Sequence, residues 1–386
     1  MCIRDRCRGV VFNDDKVVMK AFPYNIEYNS DEKEKIQNKI EDIEEWSFYE
    51  AHEGALIRMF EFNGKWYVST HRKLDAFKSK WASKESFGES FKNALLAEEQ
   101  TNKEFSDSLP PLESTNKEND IISRFQSTLD TNKQYMFLIK NNSENRIVCD
   151  VPERPTVYHV GTFIDNVLDL TVKIAIPSPK KLSFNTIDEL CNHVYDMDYK
   201  THQGVIAFKD GNMQVKILSL DYQVLFNARG NEPSIKYRYL QVRMKPDLVK
   251  RLEFLYPHMH KVFDDYENCL YDIANRIYDA YVKRFIQKQY ITVPKEEFAV
   301  IRECHTWHVT DRGANRISIN QVIKIMNKQT PTNLNKMIRR HKIEIYRQEK
   351  ESNNEVNNEV NNEVKDDGIF HMEGGIRFKE QPKIDK

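Results

Sequence analysis

The stretch FYEAHEGALIRMFEFNGKWYVSTHRKLDAF, Phe48 to Phe77, decides how the rest of the chain is read. Within it, ALIRMFEF alternates apolar and polar side chains with the period of two that a half-buried strand requires. Asn63-Gly64 then supplies the two positive φ angles of a type I′ turn, and KWYVSTH returns. A β-hairpin is expected here, entered through the tetrapeptide AHEG, Ala51 to Gly54.

The same grammar recurs outward from that point. GVIAFK, Asp210-Gly211 and NMQVKILS spell a second hairpin, and RGVVF and KVVMK flank Asp14-Asp15 as a short third one. YMFLIK and NRIVCD are expected as strands, Asp31 to Glu45 as an exposed helix, and Glu85 to Glu99 and Asp120 to Leu129 as outer helices. Thr186-Ile187-Asp188-Glu189 is a capping box opening another helix.

After the strand-like IKYRYLQVRM the period changes. Leu248 to Tyr256, Val262 to Gln289, Lys295 to Glu303, Ile319 to Asn327 and Pro331 to His341 are expected as helices. Past Arg347 the tandem NNEV units offer one valine per four residues, too little apolar surface to offset the entropy of ordering, so disorder is expected. The division is therefore a mixed α+β domain with antiparallel sheets over 1–243, an all-α domain over 244–346 and a disordered tail over 347–386.

Of the 386 residues 30% are charged, yet the formal net charge is -1. Any nucleic-acid contact must then come from a local basic surface. Six cysteines lie far apart with no C-x-x-C pair, which fits a reducing, cytoplasmic setting. No apolar run approaches the roughly 20 residues needed to span a bilayer. MCIRDR runs straight into the β-rich RGVVF, so upstream strands are expected to be missing and the first six residues to be non-native.

Four blocks taken in order, CRGVVF, AHEGAL, YMFLIKNNSENRIV and HQGVIAF with QVKILS, resemble the RNA ligase 1 family of bacteriophage T4, a branch of the covalent nucleotidyltransferases. The resemblance runs from Arg8 to about Ser219 and implies a nucleotidyltransferase domain of ATP-grasp-like ligase type. It also implies a lysine that attacks ATP, magnesium, and RNA with a 5′-phosphate end as substrate. The nucleotide-binding positions it implies are Glu53, Gly54, Arg58, Phe137, Gln203, Gly204 and Lys216.

This chain departs from the pattern where chemistry is done. Ala51 stands at the nucleophilic lysine and cannot attack phosphorus. Gln203 replaces a metal-binding glutamate, Leu138 a glutamate after Phe137, and Leu218 the partner of Lys216. Glu53, in place of aspartate, keeps its charge. A catalytically impaired ligase that still binds nucleotide or RNA ends is the leading expectation. An active enzyme using Lys73 as a displaced nucleophile is the second, with adjacent Arg72 depressing its pKa. A third is a protein-contact scaffold, favoured if Leu138 and its neighbours fill the cleft.

Lys236, Arg238 and Arg243, interleaved with Tyr237 and Tyr239, are the candidate RNA-binding cations. No metal site is expected. Cys304-His305-Thr306-Trp307-His308, with His258 and His260 upstream, is read as side chains packed under the helical domain, because tight spacing on one strand or turn rarely converges four ligands. The asparagine- and lysine-rich texture suggests an AT-rich genome, that of a large DNA virus of eukaryotes.

Overall fold

The structure, a computed structural model, describes residues 9–23, 25–111, 120–141, 147–209 and 213–360, with side chains to 351. In chain order, β1 (Val11–Asn13) and β2 (Lys16–Met19) form the short hairpin, turning at Asp14 with φ 52°. Strand β3 (Ile26–Asn29) leads to helix α1 (Lys33–Lys39) and a 3-10 turn at Ile43–Glu45. The single exposed helix expected over 31–45 is thus two pieces, and Ile36 and Ile40 are buried.

Next come β4 (Ser47–Ala51), β5 (Ala55–Phe62) and β6 (Lys65–Ser69), then α2 (Phe87–Thr101), α3 (Lys103–Ser108) and α4 (Ile121–Gln126). Strands β7 (Lys133–Lys140), β8 (Thr156–Ile164), β9 (Val167–Asp169) and β10 (Lys181–Leu182) precede α5 (Ile187–Tyr195). The second hairpin, β11 (Gly204–Lys209) and β12 (Met213–Leu218), is followed by α6 (Leu220–Arg229), α7 (Ile235–Val242) and α8 (Pro246–Leu255). Helices α9 (His260–Tyr281), α10 (Lys295–Thr310), α11 (Ile319–Met326) and α12 (Pro331–Val360) complete the described chain.

Two five-stranded sheets carry the mixed α+β unit. One has the order β10-β4-β11-β12-β3, antiparallel except for the parallel β12–β3 pair. The other, β6-β5-β7-β8-β9, is antiparallel throughout. The β5–β6 turn has φ 54° at Asn63 and 75° at Gly64, as a type I′ turn demands. The Asp210-Gly211 turn of the second hairpin lies outside the described residues.

The chain crosses from one sheet to the other at His52-Glu53-Gly54, between β4 and β5. Gly54 is required there: a Cβ would stand 2.5 Å from the Ile139 carbonyl oxygen. One core packs α1 and α5 on the first sheet through Ile36, Leu190, Val205 and Ile217. A second packs α2 and α4 on the outer face of the other sheet through Phe91, Leu95, Phe125 and Phe137. A third, with Phe22, Phe60, Met136 and Phe208, draws on both sheets.

Several expectations need correction. NRIVCD is no strand over its described part: the Ile147, Val148 and Cys149 amides donate to the Glu53 carboxylate instead of to a neighbouring strand. IKYRYLQVRM is not a strand but helix α7, opened by Ser234, whose hydroxyl accepts from the Tyr237 amide at 3.2 Å. Its apolar residues Tyr239, Leu240 and Val242 are buried together because they also satisfy a helical repeat.

The chain divides into compact units between Phe263 and Asp264. The reason is that α8 packs on α6, and Tyr256 just beyond it donates to the Ile147 carbonyl at 3.0 Å. In the unit from Asp264 onward, Ile273, Ile277, Val300, Ile301, Val322, Met337 and Ile338 are buried, and Arg276 bridges Glu297 and Glu344. Helix α12 extends to Val360, so 347–360 is helical where no structure was expected; backbone hydrogen bonds within a helix need no buried partner. The rest of the expected tail, 361–386, lies outside the described residues. No described helix is long and apolar enough to cross a membrane.

Candidate functional site

A cleft of about 410 Å³ opens between the two sheets. Its first wall carries Glu27 on β3, Tyr49 to Ala51 on β4, Gln203, Ile206, Phe208, Gln214 and Lys216. Its second carries Leu56 on β5, Leu138 on β7 and His159 to Gly161 on β8. Ala51, Gly54, Leu138, Gln203 and Lys216, drawn from separate blocks of the sequence, therefore meet in one place.

Local geometry explains each placement. Ala51 pairs with Gly204 across β4 and β11, and the Gln203 amide donates to the Ala51 carbonyl at 2.8 Å. Gly204 has φ 147° and lies so close to β12 that a Cβ would overlap the Ile217 carbonyl oxygen. Lys216 pairs with Glu27 in the parallel register; its ammonium donates to Gln203 Oε1 at 3.0 Å and to Glu27 Oε1 at 3.3 Å. Alternation along β7 sends Leu138 to the cleft and Phe137 to the opposite face. Leu138 is one wall only, so the cleft is not filled as the scaffold expectation required.

Three implied nucleotide-binding residues have partners within the fold. Phe137 is fully buried, 5.3 Å from the Phe91 ring and 5.7 Å from the Phe125 ring, and its burial stabilises the fold by roughly 1.5–3 kcal/mol. Arg58 is buried, donating to Ser69 Oγ at 3.2 Å and to the Thr70 and Gly9 carbonyls. That desolvation lowers its pKa to about 10. Glu53 is buried as well, clasping the Ile147, Val148 and Cys149 amides at 2.9, 2.9 and 3.2 Å and the Tyr222 hydroxyl at 3.2 Å.

Lys73 does not line the cleft. It is exposed in the loop after β6, and its ammonium donates to the Lys78 carbonyl at 2.8 Å, so the geometry offers a displaced nucleophile no support. The basic alternation expected on a strand is lost with the helix. Arg238 donates to the Ala228 and Asn227 carbonyls at 2.8 and 2.6 Å, closing the C-terminal end of α6. Lys236 is exposed and Arg243 half-buried at the same short helix.

Residues that were not singled out complete the site. His159 is buried with Nε2 2.8 Å from Thr162 Oγ1, and burial lowers its pKa to about 4. Between pH 6.5 and 4 the unfolded chain therefore binds a proton that the folded chain refuses, and stability should fall as pH drops through that window. The expected loss is on the order of 2–3 kcal/mol. Urea denaturation at pH 7 and 4.5 should show a smaller acid loss for His159→Gln than for the unaltered chain.

Glu50, His52 and His202 converge where the chain crosses between sheets, their ligating atoms all within 4.8 Å of one another. The Glu50 carboxylate stands 3.3 Å from His202 Nε2 and 3.9 Å from His52 Nε2. The His52 ring stacks on Tyr158 at 4.6 Å, and burial lowers its pKa to about 3; burial also lowers that of His202. The signal in the sequence was the paired triplets His52-Glu53-Gly54 and His202-Gln203-Gly204. On α10, by contrast, Cys304 is buried, His305 stacks on Phe285 at 3.8 Å, and His308 bonds the Asn315 carbonyl. That stretch is helical where a strand or turn had been assumed.

No protein-family model matches the chain. It is similar to an immediate-early protein ICP-46 homolog of Invertebrate iridescent virus 6, 28% identical over 364 residues covering 87% of this chain and 77% of that one. A second ICP-46 homolog, of Invertebrate iridescent virus 3, is 27% identical with coverage of 82% and 68%. The immediate-early protein ICP-46 of Frog virus 3 is 23% identical with coverage of 71% and 68%. These relatives are viral, as the composition suggested for this chain. Among solved structures, an archaeal ATP-dependent RNA ligase (form 1) is similar at TM-score 0.38 and 12% identity, covering 66% of this chain and 68% of that one.

Proposed function

We propose that this chain is a catalytically silent protein of nucleotidyltransferase type that holds a nucleotide or the 5′-phosphate end of RNA in the inter-sheet cleft. The observation that carries the reading is the meeting of Ala51, Leu138, Gln203 and Lys216 in one cavity large enough for a small ligand. Backbone-shaping positions are kept there while the groups that would perform adenylyl transfer are replaced.

The residues present fit a magnesium–triphosphate poorly. Magnesium needs oxygen ligands with charge, and the position that would supply one is the neutral amide of Gln203. The cleft holds Glu27 and Glu50 against Lys216, whose ammonium is already committed to Gln203 and Glu27. A ligand carrying one phosphate, exchanging with Glu27 for Lys216, suits this charge better than a triphosphate.

Fluorescence anisotropy with labelled AMP and with a short 5′-phosphorylated RNA tests the reading. Saturable binding is expected that weakens as salt rises and is lost at least about tenfold in Lys216→Ala, the order of one charge-assisted phosphate contact. Binding that is independent of salt and unchanged in Lys216→Ala would overturn it.

A further inference from the structure

The Glu50, His52 and His202 side chains bring two imidazoles and a carboxylate together, their ligating atoms all within 4.8 Å of one another. The Glu50 carboxylate stands 3.3 Å from His202 Nε2, and the Thr201 hydroxyl, also 3.0 Å from the Asp198 carbonyl, stands 2.8 Å from His202 Nδ1. The side chain of His52 is 8% exposed, its Nδ1 is buried with no hydrogen-bond partner among the described residues, and its Nε2 approaches the same carboxylate oxygen.

We propose that Glu50, His52 and His202 form a three-ligand site for a divalent transition ion, zinc foremost, opening onto the inter-sheet cleft. Two neutral imidazoles and one carboxylate are a ligand set that zinc accepts, whereas magnesium prefers oxygen alone. Donor atoms sharing one tetrahedral zinc stand roughly 3.3–3.5 Å apart, given metal–ligand bonds of about 2.0–2.1 Å. The Glu50 and His202 pair already has that spacing, and His52 must close by about an ångström, within reach of a side-chain rotation.

With an ion on His202 Nε2, the Thr201 oxygen 2.8 Å from Nδ1 would accept the Nδ1 hydrogen and serve as the outer partner that such ligands have around zinc. Three protein ligands leave a fourth position for water or a ligand oxygen. Glu50 and His52 line the cleft, so that position can face it, and the ion would supply positive charge where the cleft has a surplus of carboxylate. The assignment stands whether or not the cleft takes a nucleotide.

The test uses the full chain, stripped with a chelator and titrated with Co²⁺ alone while visible absorption is followed, then with Zn²⁺ in competition. One equivalent of Co²⁺ is expected to bind with the intense d–d bands of a low-coordinate site, and Zn²⁺ to displace it. His202→Gln and Glu50→Gln should weaken Zn²⁺ binding by more than about 100-fold, and Thr201→Val, which removes no ligand, by roughly 10-fold. The double variant Cys304→Ser, His305→Gln should bind as the unaltered chain does. Far-UV circular dichroism separates ligand loss from misfolding. The proposal is overturned if the unaltered chain binds no stoichiometric Co²⁺, or if binding survives His52→Gln and His202→Gln together in a folded protein.

Discussion

Incubated with magnesium and ATP labelled at the α-phosphate, the protein is expected to leave denaturing electrophoresis without covalently bound AMP. A covalent nucleotidyltransferase needs a nitrogen that can be deprotonated and aimed at phosphorus. Ala51 offers a methyl group at the position where the resemblance places it, and Lys216 is the lysine among the residues lining the cleft. That ammonium already donates to Gln203 and Glu27, which anchor it to one wall of the cleft. Loss of a nucleophile alone lowers turnover by about a million-fold, on the order of 8 kcal/mol. Ala51→Lys is expected to leave the adduct undetected, because Leu138 and Gln203 still deprive the site of two carboxylates. An adduct on the unaltered chain, mapped by digestion to any lysine, would sink the silent reading.

Legibility in the sequence followed the range of the interactions. The β5–β6 turn was readable because Asn63 and Gly64 meet its dihedral requirement by themselves, and α5 because Thr186 caps it within three residues. The cleft positions Ala51, Leu138, Gln203 and Lys216 were readable through the resemblance, and strand alternation then explains why Leu138 and not Phe137 faces inward. Period-two alternation in IKYRYLQVRM misled because eight residues satisfy both periods, and the deciding feature was Ser234 as an N-cap. The internal partners of Glu53 and Arg58 were hidden for a different reason. Charged side chains that pair with distant backbone look, in sequence, like charged side chains awaiting a ligand. Likewise Glu50 and His52 stand some 150 positions from His202, and only the Gly204 to Ala51 register brings them together.

The Glu53 clasp carries the largest expected stability effect. Its two oxygens accept from three successive amides, at Ile147, Val148 and Cys149, and from the Tyr222 hydroxyl, and the Glu53 and Tyr222 side chains are both buried. Tyr222 is itself buried, and its phenol is pushed up, first by desolvation and then by the Glu53 charge, so it remains a donor across the accessible pH range. Glu53→Ala removes the carboxylate to which four donors point. Each unsatisfied buried donor costs about 1–3 kcal/mol, but water entering the vacated volume recovers part, so about 3–5 kcal/mol is expected in total. Glu53→Gln should lose roughly half as much, since its amide oxygen still accepts while its NH₂ group faces other donors. The clasp also sets the cleft: Glu53 precedes Gly54, which packs against Ile139 and Leu138, so slackening at 53 moves the second wall. Urea denaturation of the two variants beside the unaltered chain measures the effect. A loss below about 1 kcal/mol for Glu53→Ala would mean that water replaces the carboxylate at the 147–149 amides at little cost. The clasp would then contribute little to the fold, and Glu53 would be left to the nucleotide-binding role that the resemblance implies.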